Sequence, residues 1–285
     1  DPVVTGLFPP VLTIGGDSDL TVSGSGLGEI RSLVVAIPGL VTRSVKKNRL
    51  SLRVSADAIP GDHDAWTLTS TGLTNPLRIR LVNHPVVVVT EGKDSDAVRL
   101  TLPGSAAARL DRAADLDRFV FTGRRDQPIS ISCRSRSLDG SVAPILLLSD
   151  PGGRELAHSR SHLAEPVLTQ VLPADGDYQV SVVDRTFQRG KGSTYVLTLK
   201  TGPRLITTVP SAVTADDSRR VTLWGFGLPG GQPGGEHGLL SLPVTVSGLA
   251  PRAPHLKTDW PDRRPLGSLQ HGWRFQQPGV NGATW

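Results

Sequence analysis

The sequence predicts an all-β fold made of small antiparallel β-sandwiches in series. Three observations carry this. Short apolar runs alternate with polar residues, as in Arg49-Leu-Ser-Leu-Arg-Val54, which sets one face toward a core and one toward water. Turn-forming residues break these runs throughout, and the 285 residues include 31 Gly and 23 Pro. Amphipathic helices are missing. The nearest candidate, Ser105 to Ala114, is alanine-rich and short, and one helical turn or a loop with a short strand accounts for it.

The first unit spans 1–88. It opens on Leu7-Phe-Pro-Pro-Val-Leu12, followed by a run in which Leu20, Val22 and Leu27 face inward and Gly24 and Gly26 permit bends. Further strands are predicted over 32–37, 49–54, 64–69 and 77–82, with Trp66 buried. Residues Val86 to Ala97 read as a linker with an acidic end.

The second unit spans 89–201. Strands are predicted over 98–102, 117–121, 128–132, 144–148, 168–172, 177–182 and 193–199. Asp150-Pro-Gly-Gly153, Asp175-Gly176 and Arg189-Gly-Lys-Gly192 mark the turns. Seven or eight short strands in about 100 residues is the strand density of a sandwich. Gly176 is expected to supply a positive φ ahead of Tyr178. Tyr178 is expected to bury its ring and hydrogen-bond a backbone group across the sandwich. The single cysteine, Cys133, shares a face with Ile129 and Ile131, so a buried thiol is expected.

A third, partial unit spans 202–249. Its run Arg220-Val-Thr-Leu-Trp-Gly-Phe-Gly-Leu-Pro229 follows a proline-bearing strand and echoes Leu20 to Leu27, a weak internal repeat. Residues 250–285 form a basic tail with no steady period.

Composition narrows the functional classes. Hydrophobic residues make up 38% of the chain and charged residues 20%, enough for real cores. The net charge of +5 is dispersed, and only two Tyr and six Phe are present, so a nucleic-acid partner is not expected. The longest apolar runs, such as Val86 to Val89, are strand-sized, so no membrane insertion is expected. The chain begins Asp-Pro and contains no Met. It reads as a mature chain or excised fragment with its targeting signals elsewhere.

Two stretches resemble known families. Asp115-Leu-Asp-Arg-Phe-Val-Phe121, Ser141 to Leu156, Pro166 to Asp184 and Tyr195 to Leu199 together resemble the bacterial pre-peptidase C-terminal (PPC) domain over roughly 90–200. Val11 to Leu27 with Ile59 to Pro76 resembles the immunoglobulin-like TIG (IPT) fold, with a partial second copy from 204. The order of units is similar to that in large exported proteins of planctomycete-type bacteria. The resemblance implies a jelly-roll-like sandwich flanked by immunoglobulin-like ones, in a secreted, periplasmic or cell-surface setting. The resemblance by itself names no partner; the partners expected are neighbouring domains of the same polypeptide or a peptidase domain, and a cell-wall or matrix polymer.

Candidate chemistry is sparse. Asp115 and Asp117, spaced i, i+2, place two hard oxygen ligands on one face, and Glu91, Asp94 and Asp96 precede them. Related collagen-binding domains bind calcium through an acidic linker and an Asp pair, so the resemblance implies calcium. This linker departs from that pattern, with Gly92 and Lys93 where Glu-Pro-Asn is usual. The alternative is that Asp115 caps a turn and Asp117 is solvated, paired with Arg112 or Arg118. Trp224 and Phe226 share a face opposite Val221 and Leu223. They form an interaction surface or pack on a neighbouring module. Among the seven His, His63, His158 and His162 fall in no nucleophile or metal motif. The expectation is a non-enzymatic spacer and interaction module of an exported multidomain protein, the alternative being a calcium-stabilised substrate-binding accessory domain of a secreted peptidase.

Overall fold

A computed structural model describes residues 1–35, 39–89, 97–110, 112, 115–159, 165–186, 193–211, 219–234 and 238–246. The chain divides into two compact units, Asp1–Thr201 and Gly202–Trp285. The described residues are almost wholly strand, arranged as several small and mostly antiparallel sheets.

The first sandwich uses β1 (Val3–Phe8), β2 (Val11–Thr13), β3 (Asp17–Ser25), β4 (Ile30–Val35), β5 (Leu40–Lys46), β6 (Arg49–Val54), β7 (Gly61–Thr69), β8 (Gly72–Leu73) and β9 (Leu77–Val82). One sheet has the order β1-β3-β6-β5; the other has β2-β9-β7-β4, with β8 paired to β7. Leu20, Val22, Leu50, Leu52, Val54, Ile79 and Leu81 fill the core between them. The buried face of β7 carries Ala65, Thr67 and Thr69, so Trp66 is only half-buried. A threonine fits that face where its hydroxyl is satisfied locally, as at Thr69. Thr74 Oγ1 accepts from Thr67 N at 3.0 Å, and Thr69 Oγ1 donates to Gly72 O at 2.8 Å.

The second sandwich uses β10 (Val86–Val88), β11 (Val98–Arg99), β12 (Gly104–Arg109), β13 (Leu116–Gly123), β14 (Pro128–Arg134), β15 (Pro144–Ser149), β16 (Glu155–His158), β17 (Val167–Val171), β18 (Gly176–Asp184) and β19 (Thr194–Thr201). Its sheets are β10-β12-β19-β14-β17 and β11-β13-β18-β15-β16. Between them Phe119, Phe121, Tyr178, Tyr195, Leu146, Leu148 and Leu197 are packed. Phe121 stacks on Tyr178 with ring centroids 5.6 Å apart.

Strands β5, β16 and Leu240–Val246 form where none is predicted, and two further segments differ from the sequence expectation. Val86–Val88, read as linker, pairs in parallel with β12. The alanine run, read as one helical turn or a loop with a short strand, forms the full strand β12, between β10 and β19. Both faces of β12 are buried. Ala106 and Ala108 join the core of the second sandwich, and Ala107 joins a separate cluster with Val11, Val82, Leu138 and Val196. A strand covered on both sides loses its polar alternation, and small residues there let the two sandwiches approach closely.

In the second unit, β20 (Arg204–Val209), β21 (Arg219–Phe226), β22 (Gln232–Pro233) and β23 (Leu240–Val246) form one sheet, β20-β21-β23-β22. Its first pair repeats β1–β3. The register of β1 on β3 shifts between Val4 and Gly6, and that of β20 on β21 shifts between Leu205 and Thr207. The partner glycine is crowded in both. A Cβ on Gly24 would lie 2.1 Å from Val3 O, and one on Gly225 would lie 2.1 Å from Arg204 O. The echo in sequence thus corresponds to a shared strand geometry. The basic tail lies outside the described residues.

Candidate functional site

A cleft of about 690 Å³ opens in the Asp1–Thr201 unit where the two sandwiches meet. The first sandwich supplies Thr5, Gly6, Leu7, Ser23, Gly24, Leu77 and Arg78; the second supplies Arg109, Leu138, Asp139 and Thr194. Below it the two sandwiches share the cluster of Val11, Val82, Ala107, Leu138 and Val196, with Phe8 and Val86 packed against it. The Arg109 guanidinium lies over the Phe8 ring at 3.9 Å, a cation–π contact across the junction.

A chain of charges crosses the same junction. Asp62 on β7 accepts from Arg80 Nη1 at 2.5 Å and from Arg134 Nη1 at 2.8 and 3.1 Å. Arg134 Nε then donates to Glu165 Oε2 at 3.3 Å. Glu165 also accepts from Ser135 N, Ser137 N and Ser137 Oγ. Burial raises the Glu165 pKa, but the Ser137 and Ser135 hydrogen bonds and Arg134 outweigh it and hold the carboxylate below its ordinary range. Arg78 N completes the junction by donating to Asp139 Oδ2.

The third link is a buried polar relay. His84 Nε2 lies 2.7 Å from Ser105 Oγ, and Ser105 Oγ lies 2.8 Å from Thr198 Oγ1. Burial, with Lys200 adding to it, lowers the His84 pKa to about 4. The pair has the spacing of a serine nucleophile and its base, but Ser105 is 0% exposed and closed to substrate. His63 Nε2 instead meets Ile59 O, and His158 Nδ1 meets Glu155. His162 lies outside the described residues. No sequence motif marked His84 or Ser105, because their meeting depends on the packing of two sandwiches.

The structure places Asp115 just before β13 and Asp117 within it. Tyr195 Oη donates to Asp117 Oδ2 at 2.5 Å. Burial pushes the Tyr195 pKa well up, with Asp117, then Cys133 and Asp115, adding to it. Glu91, Asp94 and Asp96 lie outside the described residues. Among the described residues no group of three or more His, Cys, Asp or Glu could hold a metal ion. The two carboxylates fall short of the six to eight oxygens that calcium takes. Main-chain carbonyls, water or other acidic residues would have to supply the rest.

Cys133 is fully buried on β14. Burial, with Glu165 and Asp117 behind it, pushes its thiol well up, so it is a poor nucleophile. Gly176 has φ of 145°, and a Cβ there would strike Pro151. Tyr178 is fully buried, and its hydroxyl donates to Ala174 O at 2.7 Å while accepting from Ala174 N. Tyr178 therefore ties its own turn, not the opposite sheet. Trp224 and Phe226 are half-buried, and the Trp224 ring packs against Gly234, where a Cβ would lie 2.6 Å from it.

No protein-family model matches the chain, and no curated protein matches it. Among solved structures, the pre-peptidase C-terminal domain of a collagenase from Bacillus anthracis is 18% identical, a weak and partial match. It covers 39% of this chain and 100% of that one, with a TM-score of 0.32. The periplasmic inhibitor of g-type lysozyme PliG from Aeromonas hydrophila is 16% identical over 41% of this chain and 97% of its own, TM-score 0.27. The secreted serine protease VesC from Vibrio cholerae is 11% identical over 67% and 48%, TM-score 0.26. At these values none of them carries a function to this chain.

Proposed function

We propose that the chain is a non-catalytic spacer and interaction module of an exported multidomain protein, with Asp1–Thr201 acting as one stiff two-sandwich segment. The observation that carries this is the junction. An apolar cluster, a charge chain from Arg80 to Glu165 and the Arg109–Phe8 contact all bridge the same two sandwiches. A flexible linker would leave neighbouring modules free to pivot. Here many independent contacts oppose the pivot, so the ends of the segment are held at a set separation.

Spin labels on Ser44→Cys and Val171→Cys test this directly, since the buried Cys133 stays unlabelled. The expected result is one narrow distance distribution. A broad or bimodal one would show a hinge and end the spacer reading, as would turnover of generic ester or peptide substrates.

A second reading is a calcium-stabilised accessory domain of a secreted peptidase. It draws on the two carboxylates, Asp115 and Asp117, at the entry to β13, where Tyr195 Oη donates to Asp117. On this reading, calcium raises the melting temperature of the full chain and a chelator reverses the rise. An unchanged melting temperature removes it.

A further inference from the structure

We propose that the cleft between the two sandwiches binds a short acidic saccharide, with a uronate carboxylate on Arg109. The cavity, about 690 Å³, falls within the roughly 300–1,000 Å³ of small-molecule sites. Arg109 is half-buried and stacked on Phe8 at 3.9 Å, and no carboxylate partners it among the described residues. A guanidinium fixed in this way keeps its planar fork for a carboxylate and loses little entropy on binding one.

The remaining lining selects the ligand class. Ser23 offers a hydroxyl, Thr5 Oγ1 offers an acceptor while it donates to Ser23 O at 3.3 Å, and Leu7, Leu77 and Leu138 offer an apolar surface. That pairing suits a sugar ring, which has polar edges and an apolar C–H face. Asp139 Oδ2 is held by Arg78 N, and its other oxygen has no partner among the described residues, so it can accept from ligand hydroxyls. The same carboxylate opposes a multiply charged phosphate, and Arg78 is already beside Asp64 at 3.7 Å. The single guanidinium of Arg109 matches one carboxylate on the sugar it holds, while Asp139 takes hydroxyls of the same ligand. The bulge at Thr5 departs from ladder pairing at the cleft wall, a place where bulges commonly re-aim side chains.

Titration calorimetry of the full chain with trigalacturonate tests the site. The expected Kd is below about 1 mM. The fully methyl-esterified trisaccharide, which keeps the sugars and removes the charges, should bind at least tenfold more weakly, roughly 1.4 kcal/mol. Arg109→Gln should lose a similar factor. Gly6→Leu adds bulk at the cleft wall where no atom lies within 4 Å of the new Cβ, so the fold is kept and binding should be abolished. If Arg109→Gln fails to fold, Gly6→Leu decides the matter alone. No heat from trigalacturonate at 10-fold above that Kd, equal binding of the ester, or retained binding in either folded variant overturns the site. The spin-label distances fail separately, because a stiff junction with an empty cleft would still give a narrow distribution.

Discussion

Replacing Phe121 with alanine is expected to lower the stability of the Asp1–Thr201 unit by about 3–5 kcal/mol, the usual cost of emptying a buried aromatic site. Phe121 is 0% exposed and stacked on Tyr178. Removing the ring leaves a cavity between sheets already fixed by main-chain pairing of β13 with β18, so collapse to fill it is limited. The informative part is how far the loss travels. The first sandwich shares the cluster of Val11, Val82, Ala107, Leu138 and Val196 with the second. Amide exchange in β6 and β9 should therefore speed up along with exchange in β13 and β18. Exchange confined to the second sandwich would mean that the two melt independently, and the stiff-segment reading would lose its support.

The second large effect is on pH dependence. His84 titrates near 6.5 in the unfolded chain and near 4 in the folded one. Between these values the unfolded state binds more protons, so stability falls as the pH falls from about 6.5 to about 4 and levels off below. At about 1.4 kcal/mol per unit the ceiling is about 3 kcal/mol. Relaxation of the surrounding polar groups around the charged ring brings the expected loss to about 2 kcal/mol. His84→Gln keeps a hydrogen-bonding group next to Ser105 and removes the titration. Denaturant midpoints at pH 7.5 and pH 4 should separate the wild type from the variant only at the lower pH. A constant difference at both would place the acid sensitivity elsewhere.

Much of the fold could be read in the residues. The alternation of Leu50, Leu52 and Val54 with Arg49, Ser51 and Arg53 marks β6 because its two faces meet different media. Local turn chemistry worked equally well at Asp175-Gly176, where the positive φ is a property of a few adjacent residues. The reading weakened wherever both faces of a strand are covered. Residues 105–108 carry no polar alternation, and alanine suits a helix as well as a tight interface. Trp66 went the same way, since a threonine whose hydrogen bonds are met can take the inward place.

The candidate cleft was not legible at all. Phe8, Arg109 and Asp139 are far apart in the chain, and no spacing rule links them. The same holds for Asp62 with Arg134 and for His84 with Ser105 and Thr198.

The sequence by itself determined most of the strands, many of the turns that join them and the all-β class, because these follow from side-chain periodicity and the conformational limits of Gly and Pro. Only the tertiary structure decided that two sandwiches share one junction, bury His84 there and leave an arginine-lined cleft. Those features depend on which outer faces meet, and that is set by shape and charge matching between residues distant in the chain.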